Sequence, residues 1–184
     1  MVLDAKVFAF EYPGYYVDDA QGPTETACFE AAERFVERIK AQAPVPVLFF
    51  GYSMGCAMAL HTAHVHKGER FPHAIVLLAP FVSAASVRLA PTRLTLRLSA
   101  LWSPFDVFKM KESALQQGHP LFVATGDCDE VIPPSHGRAI ADYAGRHGAS
   151  EFLLVKGATH GSIRSDKTGE VYAAVGSFLQ RHVH

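Results

Sequence analysis

The chain has 184 residues, 49% hydrophobic and 11% aromatic, which is enough apolar material for one domain with a substantial core and too much for a disordered chain. Its 17 basic and 18 acidic residues leave a formal charge of −1, and nothing here suggests nucleic acid as a partner, which would usually show as a basic face or stripe. No apolar stretch approaches the ~20 residues of a membrane span, and Met1-Val2-Leu3-Asp4-Ala5-Lys6 lacks the charged-then-apolar design of a signal peptide.

Short apolar runs alternate with longer amphipathic stretches. Lys6-Val7-Phe8-Ala9-Phe10-Glu11-Tyr12 reads as a strand closed by Pro13-Gly14. Thr24 to Ala41 reads as a helix, with Thr24 as N-cap and Ala27, Ala31, Phe35 and Ile39 spaced at three to four residues. A strand over 45–50 and a helix over 53–66 follow. Ala74-Ile75-Val76-Leu77-Leu78-Ala79 is a continuous apolar run stopped by Pro80, the pattern of a strand buried on both faces. From about 82 to 118 the periodicity loosens: Arg88, Arg93 and Arg97 interleave with leucines before Leu101-Trp102-Ser103-Pro104-Phe105 breaks the run. The segment is lid-like, and its arginines read either as a lid or a surface for anionic lipid headgroups or, by preference, as a plain solvated helix face. A strand over 120–125, a helix Ser135–Gly145, a strand Glu151–Val155 and a helix from about 166 to 181 complete the chain. Repeated βα units of this kind imply a parallel sheet flanked by helices, in a single domain over residues 1–184.

The run Val45-Pro46-Val47-Leu48-Phe49-Phe50 leads into Gly51-Tyr52-Ser53-Met54-Gly55, and small-residue-rich Cys56-Ala57-Met58-Ala59-Leu60 leads out. That is the strand–turn–helix setting in which Gly-x-Ser-x-Gly acts as a nucleophile elbow. The serine sits in a sharp, strained turn, and only glycine lets neighbouring backbone pass so close. The plain alternative is that Ser53 caps a helix. A serine hydroxyl is a poor nucleophile until a base takes its proton, and the base needs an orienting acid. Gly126-Asp127-Cys128-Asp129-Glu130-Val131-Ile132-Pro133 follows one strand, and Lys156-Gly157-Ala158-Thr159-His160-Gly161 follows the next. An acid and a histidine thus follow successive strand C-termini, the edge where active sites of open α/β sheets form. Asp127 and Asp129 are both candidates, and His160 taken alone could equally be a solvated loop residue.

Three cysteines, Cys28, Cys56 and Cys128, are an odd number without CxxC spacing, which points to a reducing compartment rather than a disulfide framework. Cys56 and Cys128 lie beside motif residues, yet small core cysteines are common and neither is taken as a nucleophile. His61, His64 and His66 have a loose metal-ligand spacing, but the better reading is of exposed residues near a helix C-terminus, where the dipole tolerates positive charge.

Phe10-Glu11-Tyr12-Pro13-Gly14-Tyr15, the Ser53 pentapeptide, Gly126 with Asp129-Glu130-Val131-Ile132-Pro133 and Ser135-His136-Gly137, and Gly157-Ala158-Thr159-His160-Gly161 carry a family likeness. The chain resembles serine hydrolases of the α/β-hydrolase superfamily, within it the depalmitoylase-like and Bem46-like group. The order Ser, Asp, His is that superfamily's order. The resemblance implies a three-layer α/β/α fold with Ser53 as nucleophile, His160 as base and then acid, and Asp129 as orienting carboxylate. Asp129 is preferred to Asp127 because the family pattern is Gly-x-x-Asp-x-x-Val/Ile-Pro. The backbone N–H of Met54 would be one oxyanion donor.

The departure from the family is at the front. The strand expected over 6–12 resembles the family's fourth, so the fold is N-terminally shortened, with about five mainly parallel strands. The loop that commonly bears a His-Gly motif and gives the second oxyanion N–H has no counterpart. Losing one such donor typically costs about 10²–10³ in rate. Strand 6–12 must then pair directly with strand 45–50 or leave backbone groups unpaired. One sheet face would keep only the C-terminal helix as cover, an apolar patch suited to homo-oligomerisation.

The expected chemistry is hydrolysis of an acyl ester or thioester through an acyl-Ser53 intermediate, with amide cleavage also open to the same triad. No metal or organic cofactor is implied, since side chains supply nucleophile, base and acid. The expected setting is cytoplasmic, with peripheral membrane attachment left open. The rival is a catalytically impaired, hydrolase-like remnant or partial chain that acts by binding a partner. A third reading keeps the fold with non-hydrolytic chemistry.

Overall fold

The computed structural model describes residues 6–15, 24–41, 46–66, 72–84, 87, 114–165 and 167–183. In chain order the elements are α1 (Glu25–Lys40), β1 (Leu48–Tyr52), α2 (Met54–Val65), β2 (Ala74–Leu78), a 3-10 turn (Leu115–Gln117), β3 (Leu121–Gly126), α3 (Pro134–Ala144), β4 (Ser150–Val155) and α4 (Glu170–His182). The lid-like segment falls largely outside the described residues, with Arg88, Arg93, Arg97 and Trp102 among those not described.

The four strands form one parallel sheet in the sequential order β1-β2-β3-β4. β1 pairs with β2 from Leu48↔Ala74 to Tyr52↔Leu78, and β3 pairs with β4 from Leu121↔Ser150 to Gly126↔Val155. All five residues of β2 and all six of β3 are buried, because helices cover both faces of the central strands. On one face Ile75, Leu77, Leu121 and Val123 pack against residues of α1, α2 and α3. On the other, Val76, Leu78, Phe122 and Ala124 meet Val171, Val175 and Phe178 of α4. The result is the expected three-layer α/β/α arrangement.

Helix α2 buries five residues in succession, Cys56 to Leu60, because it is sandwiched between the sheet and α1. Helix α1 starts where expected, with Thr24 Oγ1 accepting from the Ala27 N–H at 3.2 Å. Its buried stripe is Cys28, Ala32, Val36 and Ile39, rotated by one residue from the expected Ala27, Ala31 and Phe35. The small residues of this stripe let α1 approach α2 closely, while Phe29 and Phe35 flank the contact: Phe29 stacks on His61 and Phe35 takes Phe10.

Residues 6–12 are not a strand, which corrects the expectation for that segment, while the four strands among the described residues agree with the expectation of about five. Phe10 lies 4.7 Å from Phe35, ring centre to ring centre, and Tyr12 meets Phe10 edge-on at 5.2 Å. Val7 and Phe8 are left exposed. Strand propensity describes fit to a pleated, partnered surface, and here aromatic packing on α1 and α2 prevails over pairing with β1. α4 packs across β2, β3 and β4, and on β1 Leu48 is 36% and Phe50 52% exposed. Among the described residues no helix is long and apolar enough to cross a membrane.

Phe178 is fully buried and packs 5.6 Å from Phe122, so it joins α4 to the sheet centre. Phe178→Ala should lower unfolding stability by about 3–5 kcal/mol, read from the midpoint and slope of urea denaturation.

Candidate active site

Parallel strands with level ends bring the turns that leave them to one rim, and three of those turns carry the expected residues. Ser53 follows β1 directly, with φ 52° and ψ −118°, a left-handed backbone that a non-glycine residue adopts only under strain. Its N–H donates to the Leu78 carbonyl at 2.9 Å, carrying the β1–β2 ladder into the turn. A Cβ on Gly51 would lie 2.6 Å from the Cys56 Cα, so the return of the chain into α2 requires glycine there. Ser53 occupies the N-cap position of α2, but its side chain makes no capping hydrogen bond. Its Oγ lies instead 3.1 Å from His160 Nε2.

His160 sits in the loop after β4, between the buried anchors Ala158 and Ile163. Its Nδ1 is 2.9 Å from Asp129 Oδ2. Asp129 lies in the loop after β3 with a fully buried carboxylate, whose other oxygen accepts the N–H groups of Val131 at 2.9 Å and Ile132 at 2.7 Å. A buried carboxylate with both oxygens engaged has a fixed direction, and it imposes one on the imidazole. The rival carboxylate, Asp127, has a different partner: its Oδ1 accepts from the Gly157 N–H at 2.6 Å, tying the β3 and β4 loops together. Met54 opens α2, so its N–H is one of the donors that helix geometry leaves without an intrahelical acceptor. Such a line of hydroxyl, imidazole and carboxylate can pass a hydroxyl proton to the imidazole while the carboxylate stabilises the resulting charge.

Neither neighbouring thiol is activated. Burial pushes the Cys56 thiol far up, and it donates to the Leu78 carbonyl at 3.3 Å. The exposed Cys128 thiol is also raised, by a hydrogen bond to Asp127 and that group's charge. Tyr12, whose hydroxyl lies 3.3 Å from where a Gly55 Cβ would be, is pushed up to about 12 by burial and so stays a proton donor.

The α2 histidines differ from the expectation of exposed residues. His66 is buried, with Nδ1 3.2 Å from Lys40 Nζ, and His61 stacks on Phe29 with Nε2 2.7 Å from Glu33 Oε1. They line the α1 contact because α1 lies along the helix to its end. Among the described residues no group of three or more His, Cys, Asp or Glu is placed to hold a metal ion.

Two residues at the rim carry no sequence signal for their contacts. The Tyr52 hydroxyl donates to the His160 carbonyl at 3.0 Å, and Glu130 Oε2 accepts from the His160 N–H at 3.4 Å. Each is adjacent to a motif residue, but nothing local tells that it reaches residue 160.

The family described as Thioesterase domain matches residues 2–110. Alpha/beta hydrolase domain-containing protein 17C of Homo sapiens is 28% identical over 182 residues, which are 97% of this chain and 48% of that protein. The chain therefore spans about half the length of the curated relatives it matches. Among solved structures, an esterase, Pf2001 of Pyrococcus furiosus, is similar with a TM-score of 0.59 and 20% identity, over 81% of this chain and 59% of that one. A Mycobacterium tuberculosis H37Rv chain assigned as the non-heme bromoperoxidase BpoC gives a TM-score of 0.64 and 19% identity, over 95% and 81% of the two chains. These structural likenesses show the fold alone.

Because the obstacle at position 51 is backbone, it cannot rotate away. Gly51→Ala should cost about 3 kcal/mol, the upper end of the overpacking range, in an equilibrium urea unfolding measurement.

Proposed function

The chain belongs to the thioesterase-domain family and has the α/β-hydrolase fold, and from that premise we propose that it is a serine hydrolase cleaving an acyl ester or S-acyl thioester through an acyl-Ser53 intermediate. The observation that carries the reading is the pair of contacts from Ser53 Oγ to His160 Nε2, 3.1 Å, and from His160 Nδ1 to Asp129 Oδ2, 2.9 Å. Ser53 Oγ attacks the acyl carbonyl as His160 Nε2 takes its proton. Asp129 holds Nδ1–H and stabilises the imidazolium, and the Met54 N–H at the start of α2 faces the oxyanion. His160 then returns the proton to the leaving alkoxide or thiolate. In the second half a water molecule, deprotonated by His160, attacks the acyl carbon and releases Ser53 with the carboxylic acid. Thiol leaving groups need little protonation, so a thioester makes a smaller demand on general-acid catalysis by His160 than an amide does.

The competing reading is a hydrolase-like chain that acts by binding a partner. Fluorophosphonate labelling separates the two. The hydrolase reading requires an adduct that Ser53→Ala abolishes, with Asp129→Asn lowering turnover of a p-nitrophenyl ester by about 10⁴-fold. Asp127→Asn should cost far less, because Asp127 bonds Gly157 and not the imidazole. Folded protein without a Ser53-dependent adduct would leave the binding reading.

The proposal extends to setting and assembly. The three cysteines are free, in keeping with a cytoplasmic protein. Leu48 and Phe50 on β1 form apolar surface that pairing of two copies would bury. Sedimentation velocity should show a concentration-dependent dimer that Phe50→Asp converts to monomer, and a wild-type monomer at all concentrations would refute self-association.

A further inference from the structure

We propose that Tyr52 is a positioning residue that fixes the distance between the base and the nucleophile, a role that rests on the Ser53–His160–Asp129 reading above. Besides its contact with Ser53 Oγ, three hydrogen bonds among the described residues hold His160. Asp129 fixes the direction of its ring through Nδ1, at 2.9 Å. Glu130 accepts its backbone N–H at 3.4 Å, at the long end of hydrogen-bond geometry. Tyr52 donates to its backbone carbonyl at 3.0 Å. Of these three, and apart from the catalytic contact of Nε2 with Ser53 Oγ, this last one reaches the nucleophile's own turn: Tyr52 is the final residue of β1 and is joined to Ser53 by a peptide bond. The base is thereby anchored to the strand that carries the nucleophile, 108 residues away in the chain.

The geometry around Tyr52 supports the role. Alternation along β1 puts Tyr52 on the same face as Leu48 and Phe50, toward the loop that follows β4. Its ring lies 5.3 Å from the imidazole, tilted by 36°, and the Arg164 guanidinium stands 5.7 Å from the ring centre. Arg164 is held in turn by its carbonyl, which accepts from the Tyr172 hydroxyl of α4 at 2.8 Å. Burial raises the Tyr52 phenol, so it keeps its proton and remains a donor wherever a neutral imidazole can work. Of the loop's other hydrogen bonds, those of Thr159 and Ser165 with Ser162 are local, while Gly157 bonds Asp127, Ala158 bonds Cys128 and Arg164 bonds Tyr172; none of these refers the loop to Ser53.

Tyr52→Phe keeps the ring, the strand and the contact with Arg164, and removes only the hydroxyl. A base free to drift by a fraction of an ångström loses turnover without losing substrate binding, since misplacement of about 1 Å costs about 10²-fold. The test compares wild type, Tyr52→Phe, Glu130→Gln and Ser53→Ala on a short-chain p-nitrophenyl ester, with thermal unfolding of each. The expected result is a kcat lowered about tenfold in Tyr52→Phe, with KM and Tm unchanged, and a fall in the fluorophosphonate labelling rate of similar size. Glu130→Gln, whose amide oxygen can still accept the longer bond, should show a smaller loss. Wild-type kcat in Tyr52→Phe beside an inactive Ser53→Ala would overturn the positioning role and leave the nucleophile assignment standing. A loss of kcat that tracks a fall in Tm, or that comes with an equal rise in KM, would overturn it too, as a packing effect. Full turnover in Ser53→Ala would remove the reading on which the role rests.

Discussion

The alignment of strand ends is the constraint on which the rest of the molecule depends. A hydroxyl, an imidazole and a carboxylate from positions 53, 160 and 129 can lie in one line only if β1, β3 and β4 run the same way and finish level. The parallel register does this: Tyr52 is opposite Leu78, Leu78 opposite Ala124, and Gly126 opposite Val155. Parallel strands need crossover connections that cover both faces of the sheet. The buried central strands β2 and β3, and the helices over them, are therefore conditions for the site as much as for stability. Burial of the apolar central strands fixes the register, and the register fixes the rim.

At that rim the chain accepts local strain for geometry. Ser53 adopts a left-handed backbone at φ 52°, a conformation that costs on the order of 1–3 kcal/mol for such a residue. The hydrogen bond from its N–H to Leu78, the close passage of Gly51 against Cys56 and the burial of α2 together hold it there. Asp129 is treated similarly: its carboxylate is withdrawn from water but compensated by two backbone N–H groups and the imidazole. Asp127, two residues earlier, stays exposed and fastens one loop to the next. Two like residues in one loop thus have different partners because only one lies within reach of His160.

Much of this was legible in the sequence where a local pattern fixes a backbone. The glycines around Ser53, the apolar run of β2 and the Gly-x-x-Asp spacing each demand a particular turn or burial, and the structure has them. β1 begins at Leu48, later than the expected 45, because pairing opposite Ala74 defines the ladder, and Val47 before it exchanges its backbone hydrogen bonds with His73 instead. Residues 6–12 have strand composition, but their fate was decided by Phe35 on α1, a long-range aromatic contact that no local pattern records. The surroundings of His61 and His66 lie beyond a local pattern for the same reason, since they depend on how far α1 runs alongside α2. The contact between Tyr52 and residue 160 belongs to this class as well: pentapeptide membership marks Tyr52 as near the site and says nothing of what its hydroxyl meets.

The central claim is that the strained serine forms a covalent bond to the acyl group. The most direct measurement is peptide mass mapping after brief mixing with a short-chain acyl thioester and an acid quench. The acyl mass should appear on the peptide containing Ser53 and vanish in Ser53→Ala. Consumption of the thioester with the acyl group on Cys128, or on no residue at all, would contradict the claim.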